Sequence, residues 1–277
     1  MNNLVLTCIY NEETLIKLFL TYYNSLLSKL GQGKIIFIDF GCIDSTINII
    51  NNFKLSKNIE VEIIKNFTFE HREDVMMLFR NHYWKRFKDD FNYVFIVDVD
   101  EIVYDDNLIE NLSKGVDCFL SEGVDIITNS FKNISKQIKQ YTDINLFLDS
   151  VKFFPNLNKI NIFNPKTFHP NYNDGCHISK PIGKIPNIVQ STYLLHFKHI
   201  GYKLFLKNAI SKEKRYNFHS KKYGHGFHYS LDKLLTNEQY NEKISNTCNI
   251  KGRIPILIDT FAPNYYKMVH NFNNMFS

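Results

Sequence analysis

YVFIVDVDEIVY, residues 93–104, is apolar until it meets Asp98, Asp100 and Glu101. A short apolar run that ends abruptly in acids is the pattern of a strand buried on both faces. Residues two apart on a strand point the same way, so Asp98 and Asp100 are expected to turn both carboxylates toward one ligand. Two convergent carboxylates at a solvent-facing strand end suit a hard divalent cation, Mn²⁺ or Mg²⁺. Such an ion can bridge a diphosphate and neutralise charge on it as a bond breaks.

The preceding chain alternates between strand and helix patterns. LVLTCIY (4–10), KIIFIDF (34–40) and IEVEIIK (59–65) read as strands. Leu15, Leu18, Phe19, Tyr22, Tyr23, Leu26 and Leu27 fall on one helical face, which Gly31 and Gly33 break. Asp44-Ser45-Thr46 caps a second helix through Ile47, Ile50 and Phe53. A third runs through Val75, Leu78, Phe79, Tyr83 and Phe87. This order implies an α/β fold whose mostly parallel central sheet is flanked by helices. Ligands of such sheets bind at the carboxyl ends of the strands. Asn11 and Glu12 close the first strand, Asp39 the second, and Asp98 and Asp100 the fourth. Three strands ending in acid or amide groups favour a site over capping alone.

The second half is less regular. VDIITNSF (124–131), KINIFNP (159–165) and YLLHFKHI (193–200) read as strands, and 203–240 as helical. No internal repeat or linker appears, so 1–277 is expected to be one domain, with parts at 1–105, 106–200 and a mainly helical 201–277. Hydrophobic residues make up 44% and charged residues 22%, which excludes a disordered chain. Eleven Gly and seven Pro exclude a collagen-like one. The net charge of +5 fits an anionic small molecule or a membrane surface as well as nucleic acid. The aromatics are not interleaved in an RNA-binding motif, so no nucleic-acid partner is expected. Five scattered Cys without a C-x-x-C pair argue against a disulfide framework or structural zinc. MNNLVLTCIYNEE lacks signal-peptide character. A cytoplasmic protein is expected, with peripheral contact at the inner membrane face as an option.

Residues that carry chemistry recur in motifs. LTCIYNEETLIKLFLTYYNSL, IIFIDFGCIDST and FNYVFIVDVDEIVY resemble the nucleotide-binding half of family-2-like glycosyltransferases of the GT-A fold. Those enzymes carry a strand ending in Asn-Glu, a D-D-G-S-T-D-G-T-like turn and a strand-end D-x-D. In the turn, Asp39, Gly41, Asp44 and Thr46 match, while Phe40, Cys42, Ile43 and Ser45 depart. IFNPKTFHPNYNDGCHISKPIG, LLHFKHIGY and KRYNFHSKKYGHGFHY are similar to a bacterial branch with L-L-H-Y-K-like motifs.

The resemblance implies transfer of a sugar from a nucleotide-sugar donor, a uridine diphosphate sugar, to a hydroxyl of a glycan or lipid-linked acceptor, as in surface polysaccharide synthesis. Residues 1–105 would be the nucleotide-binding half and 106–200 the acceptor side. It implies that Asn11, Glu12 and Asp39 hold the nucleotide, Asp39 meeting base or ribose, with Asp98 on ribose and metal. Asp100 and His196 would bind Mn²⁺ (or Mg²⁺), with His177 in reserve. His196 lies on an apolar strand-like run, and His199 is expected to face away. Lys198 and Arg215, in a basic stretch from 198 to 222, are candidates for the donor diphosphate. Asp174, shortly before His177, is a candidate base. A metal-dependent phosphotransferase or phosphatase also places D-x-D at a strand end. In haloacid-dehalogenase-like enzymes, however, that is the first strand and a Thr follows, whereas here Val103 follows Ile102 at the fourth. A non-catalytic nucleotide- or glycan-binding protein of the same fold is the third option.

Overall fold

Alternation along the first strand sets the layering. In β1 (Asn2–Ile9), Val5 and Ile9 enter one buried cluster while Leu4, Leu6 and Cys8 enter another, on opposite faces of the strand. Helix α1 (Ile16–Leu30) covers the first face with Phe19, Tyr22, Tyr23 and Leu26. Helix α3 (Glu73–His82) and the 3-10 turn Tyr83–Phe87 bring Met76 and Trp84 to the second. The computed structural model describes residues 1–65, 73–128, 139–141, 143–144, 148, 151–153, 158–172, 189–214 and 236–245.

Among the described residues nine strands form one sheet. They are β1, β2 (Gln32–Asp39), β3 (Ile59–Lys65), β4 (Tyr93–Ile96), β5 (Glu101–Tyr104), β6 (Cys118–Thr128), β7 (Val151–Phe153), β8 (Lys159–Phe163) and β9 (Val189–Ile200). The order is β3-β2-β1-β4-β8-β6-β9-β5, with β7 also on β6. The first four strands are parallel, as their alternation with helices requires. Short helices α2 (Thr46–Asn51) and α4 (Leu108–Ser113) follow β2 and β5. The later strands make the sheet mixed: β8 joins β4 and β6 antiparallel, and β6 runs parallel to β9.

The structure corrects the expected fourth strand. Residues 93–104 form two strands, β4 and β5, separated by a turn that holds Asp98 and Asp100. The acids close that turn themselves. Glu101 N–H donates to the Asp98 carbonyl at 3.0 Å, and Asp98 N–H donates to Glu101 Oε2 at 2.8 Å. The chain then departs to pair β5 antiparallel with β9, Glu101 opposite His196. Leu78, expected on a core face, is 54% exposed. The helical expectation for 203–240 is met over Tyr202–Lys214 and, near its end, by the helix Asn237–Ser245; residues 215–235 lie outside the described residues. Among the described residues, no helix is long and apolar enough to cross a membrane.

Strand β5 is the last in the order, so its outer edge must find partners elsewhere. Two tyrosines of α1 supply them. Tyr22 Oη donates to the Val103 carbonyl, and Tyr23 Oη donates to the Glu101 carbonyl at 3.2 Å while accepting from Val103 N–H at 3.3 Å. Burial raises both phenols well above their ordinary range, so they stay neutral donors.

Tyr23→Phe should leave two buried backbone groups without a partner and cost about 1–3 kcal/mol. Chemical denaturation checks this; an unchanged midpoint would remove the edge-sealing role. A second expectation concerns Glu122 on β6, whose half-buried carboxyl is pushed up to about 7 by burial. The folded chain therefore holds this proton more tightly than the unfolded one. The stabilising contribution is full below the ordinary glutamate range and is lost as pH rises through about 7. Glu122→Gln should gain on the wild type between pH 5 and pH 8 in urea midpoint. Parallel pH profiles for the two proteins would contradict it.

Candidate active site

The carboxyl ends of β1 and β2 meet in a knot of side chain to backbone bonds. Asn11 takes φ +56°, a left-handed conformation that Asn tolerates. Its Oδ1 accepts from Ile43 N–H at 2.9 Å and Asp44 N–H at 3.3 Å. Asp39 Oδ1 accepts from Gly41 N–H at 3.0 Å and Cys42 N–H at 2.8 Å, across a bend where Gly41 has φ +91°. Glu12 N–H donates to Thr46 Oγ1 at 2.7 Å. Asp44 receives Thr46 N–H at 2.9 Å through Oδ1 and Glu13 N–H at 3.1 Å through Oδ2, which ties the start of α2 to the segment that follows β1. The resembling turn therefore stands on its own internal bonds. Cys42 is no nucleophile here: burial, with Asp39 adding to it, pushes its thiol up to about 12.

The acidic turn beyond β4 divides its carboxylates. Asp98 pairs with the guanidinium of Arg80, a buried residue of α3. Glu101 is 2% exposed and pairs through Oε1 with Lys159 Nζ at 2.7 Å. Its other oxygen holds Asp98 N–H, so the buried pair props the turn from beneath. Asp100 faces elsewhere. Its Oδ2 lies 3.2 Å from His196 Nε2. On the opposite side of that ring, Nδ1 lies 2.8 Å from Asp125 Oδ1. Burial alone would lower the imidazole, but Asp100, with hydrogen bonds from both carboxylates, outweighs it and holds His196 up at about 10.

The structure thus unites Asp100 with His196, more than ninety residues apart in the chain. Asp98 and Asp100 lie in a turn rather than on one strand, with Arg80 beside the first and His196 beside the second. Asn11 and Asp39 lie at their strand ends as expected, each with one oxygen committed to the turn. Asp174, His177 and Arg215 lie outside the described residues, as do the side chains of Lys198 and His199. Arg80, Asp125 and Lys159 were not legible as site residues. A lone charge in the apolar strands VDIITNSF and KINIFNP was the available signal for two of them. Arg80 lay within an ordinary amphipathic helix pattern. Tyr172 is anchored close by: Asn81, next to Arg80, exchanges two hydrogen bonds with its backbone at 2.6 and 2.8 Å. Among the described residues, no three His, Cys, Asp or Glu side chains are placed so that together they could hold a metal ion.

No protein-family model matches the sequence, and no curated protein matches it. Solved structures of S. aureus TarS are similar to it in part. One aligns at 20% identity and TM-score 0.31, covering 44% of this chain and 22% of that one. TarS 1–349 in complex with UDP-GlcNAc aligns at 14% identity and TM-score 0.31, covering 47% and 34%. TarS 1–349 alone aligns at 11% identity and TM-score 0.40, covering 88% and 81%. The chain thus spans between about a fifth and a third of the first two. Likeness of this degree says nothing of activity.

Lys159→Met should strand the Glu101 carboxylate in the interior and cost about 3–5 kcal/mol, while Glu101→Gln combined with Lys159→Met recovers most of that loss. Equilibrium unfolding of both variants measures it. A single variant as stable as the wild type would mean that the pair does not support the turn.

Proposed function

We propose that the chain is a metal-dependent glycosyltransferase of GT-A type. It transfers a sugar from a nucleotide-sugar donor, a uridine diphosphate sugar, to a hydroxyl of a glycan or lipid-linked acceptor, as in surface polysaccharide synthesis. The observation that carries this reading is the meeting of Asp100 with His196 beyond the carboxyl end of the parallel strands. The proposed setting is cytoplasmic, peripheral at the inner membrane face where a lipid-linked acceptor would be met.

Asp100 Oδ2 and His196 Nε2, 3.2 Å apart, would hold Mn²⁺ or Mg²⁺ once the Nε2 proton had left. One carboxylate oxygen and one imidazole nitrogen suit Mn²⁺. Bound there, the ion would supply Lewis-acid neutralisation of the departing diphosphate. Asp100 and His196 would hold it from the protein side, leaving its other positions to diphosphate and water. Asp98, paired with Arg80, would face the ribose or a metal-bound water. Asn11, Glu12 and Asp39 would line the nucleotide end of the site. Asp174 is the proposed base for the acceptor hydroxyl. Lys198 and Arg215 are proposed for the diphosphate.

Uridine or guanosine diphosphate should raise the melting temperature, and more so with Mn²⁺, because a ligand bound to the folded state stabilises it by mass action. The absence of any shift with either nucleotide would sink the transferase reading. Asp100→Ala should fold and lose about 3–4 kcal/mol of transition-state stabilisation, a rate loss on the order of a hundred- to a thousand-fold. His196→Ala should lose less and recover partly at high Mn²⁺. Donor-hydrolysis assays on purified variants separate these outcomes.

A further inference from the structure

His196 is gripped from both sides, and the buried side has no part in the reading so far. Asp125 lies on β6 between Val124 and Ile126, both fully buried. Its own exposure is 5%. An ionised carboxylate inside an apolar sheet is costly unless something pairs with it. In this sheet it faces the His196 imidazole, directly across the β6–β9 ladder.

The backbone is shaped around that contact. β6 and β9 run in register from Cys118 opposite Val189 to Asp125 opposite His196, and then the ladder slips: Ile127 stands opposite His199. β9 therefore carries one extra residue immediately after His196. Bulges of this kind re-aim a side chain and bend the strand. At the same place Phe197 N–H donates to the Asp100 carbonyl at 2.7 Å, stitching β9 to the acidic turn. Three backbone segments thus converge on one ring, and each ring nitrogen has its own carboxylate. Turning the imidazole over would exchange the positions of nitrogen and carbon at both and break both contacts.

We infer that Asp125 is a positioning residue for the site: it accepts a hydrogen bond from His196 Nδ1–H and so presents Nε2, beside Asp100, to the divalent cation, which would displace the Nε2 proton to solvent. The inference rests on the metal reading above. A carboxylate behind a ligating imidazole fixes its tautomer and orientation and makes it a better ligand. Asp125 itself need not touch the metal or donor, so its removal acts through His196.

The full-length chain tests this with Asp125→Asn and Asp125→Ala, using Mn²⁺ alone as the probe. Free Mn²⁺ is counted by electron paramagnetic resonance. The imidazole protons of ¹⁵N-histidine-labelled protein are followed by NMR, with His196→Gln assigning the signal. Wild type should show a His196 Nδ1 proton protected from exchange. Asp125→Ala should lose it and bind Mn²⁺ about 100-fold more weakly, with Asp125→Asn, which keeps an acceptor but no charge, nearer tenfold. Circular dichroism shows whether each variant folds; if the alanine variant does not, the asparagine variant decides on the same readouts. Folded variants with wild-type Mn²⁺ affinity would overturn the inference and leave the metal reading standing. A wild type that takes no Mn²⁺ would overturn the metal reading. The Nδ1 proton, present in the wild type and absent in the alanine variant, would then still uphold Asp125 as the residue that orients the ring. Its absence from the wild type would overturn that too.

Discussion

Glu101, through its carboxylate and its backbone, joins elements that are far apart in the chain. One oxygen meets Lys159 on β8, and the other holds the Asp98 amide of the acidic turn. Its backbone carbonyl takes the Tyr23 hydroxyl from α1, and its residue stands opposite His196 on β9. A helix, three strands and a turn from both halves of the chain are registered by one residue. Two charges withdrawn from water seldom gain much net stability over an apolar pair of the same volume. What the pair gains here is definition: an apolar residue at 101 would fill the space but would offer no acceptor to the Asp98 amide. The turn that joins the two strands would then lose one of the two bonds that close it.

The parts of the fold legible in the sequence are those built from local pattern. The first three strands and the helices between them follow from apolar periodicity, and their parallel order from the alternation itself. The break inside 93–104 was not legible, because Val99, Ile102 and Val103 continue the apolar run on the far side of the acids. Only the distant partner of β5 reveals that the run has changed course. The order β8-β6-β9-β5 pairs segments some forty to ninety residues apart, which no local periodicity encodes. Leu78 belongs to the same class of failure. Its spacing places it on an apolar stripe, yet the sheet accepts only part of that stripe.

The site divides along similar lines. Asp100 and His196 stood out in the sequence because each sits in a resembling motif, and the structure places them side by side, Asp100 in the turn before β5 and His196 within β9. Their companions were hidden in ordinary-looking positions: Arg80 within a helix, Lys159 and Asp125 within strands. The more useful signal was chemical. A charged residue at a buried position of an apolar strand needs a partner of opposite charge or a strong hydrogen bond, and Lys159 and Asp125 find theirs in Glu101 and His196. Asn11 and Asp39 carry the opposite lesson. Strand-end polar groups read as ligand contacts, and the structure gives each a first duty in fixing the turn on which any ligand contact would depend.

Charge balance joins these observations. Among the described residues, Asp98, Asp100, Glu101 and Asp125 are clustered with two permanent cations, Arg80 and Lys159, and with His196. An imidazole must be neutral to ligate a metal. Without a metal, the carboxylates on its two nitrogens hold His196 up at about 10, so the ring keeps its second proton. A divalent cation at Nε2 would therefore have to displace that proton. The ion would take the proton's place beside Asp100, while the Nδ1 side kept its contact with Asp125.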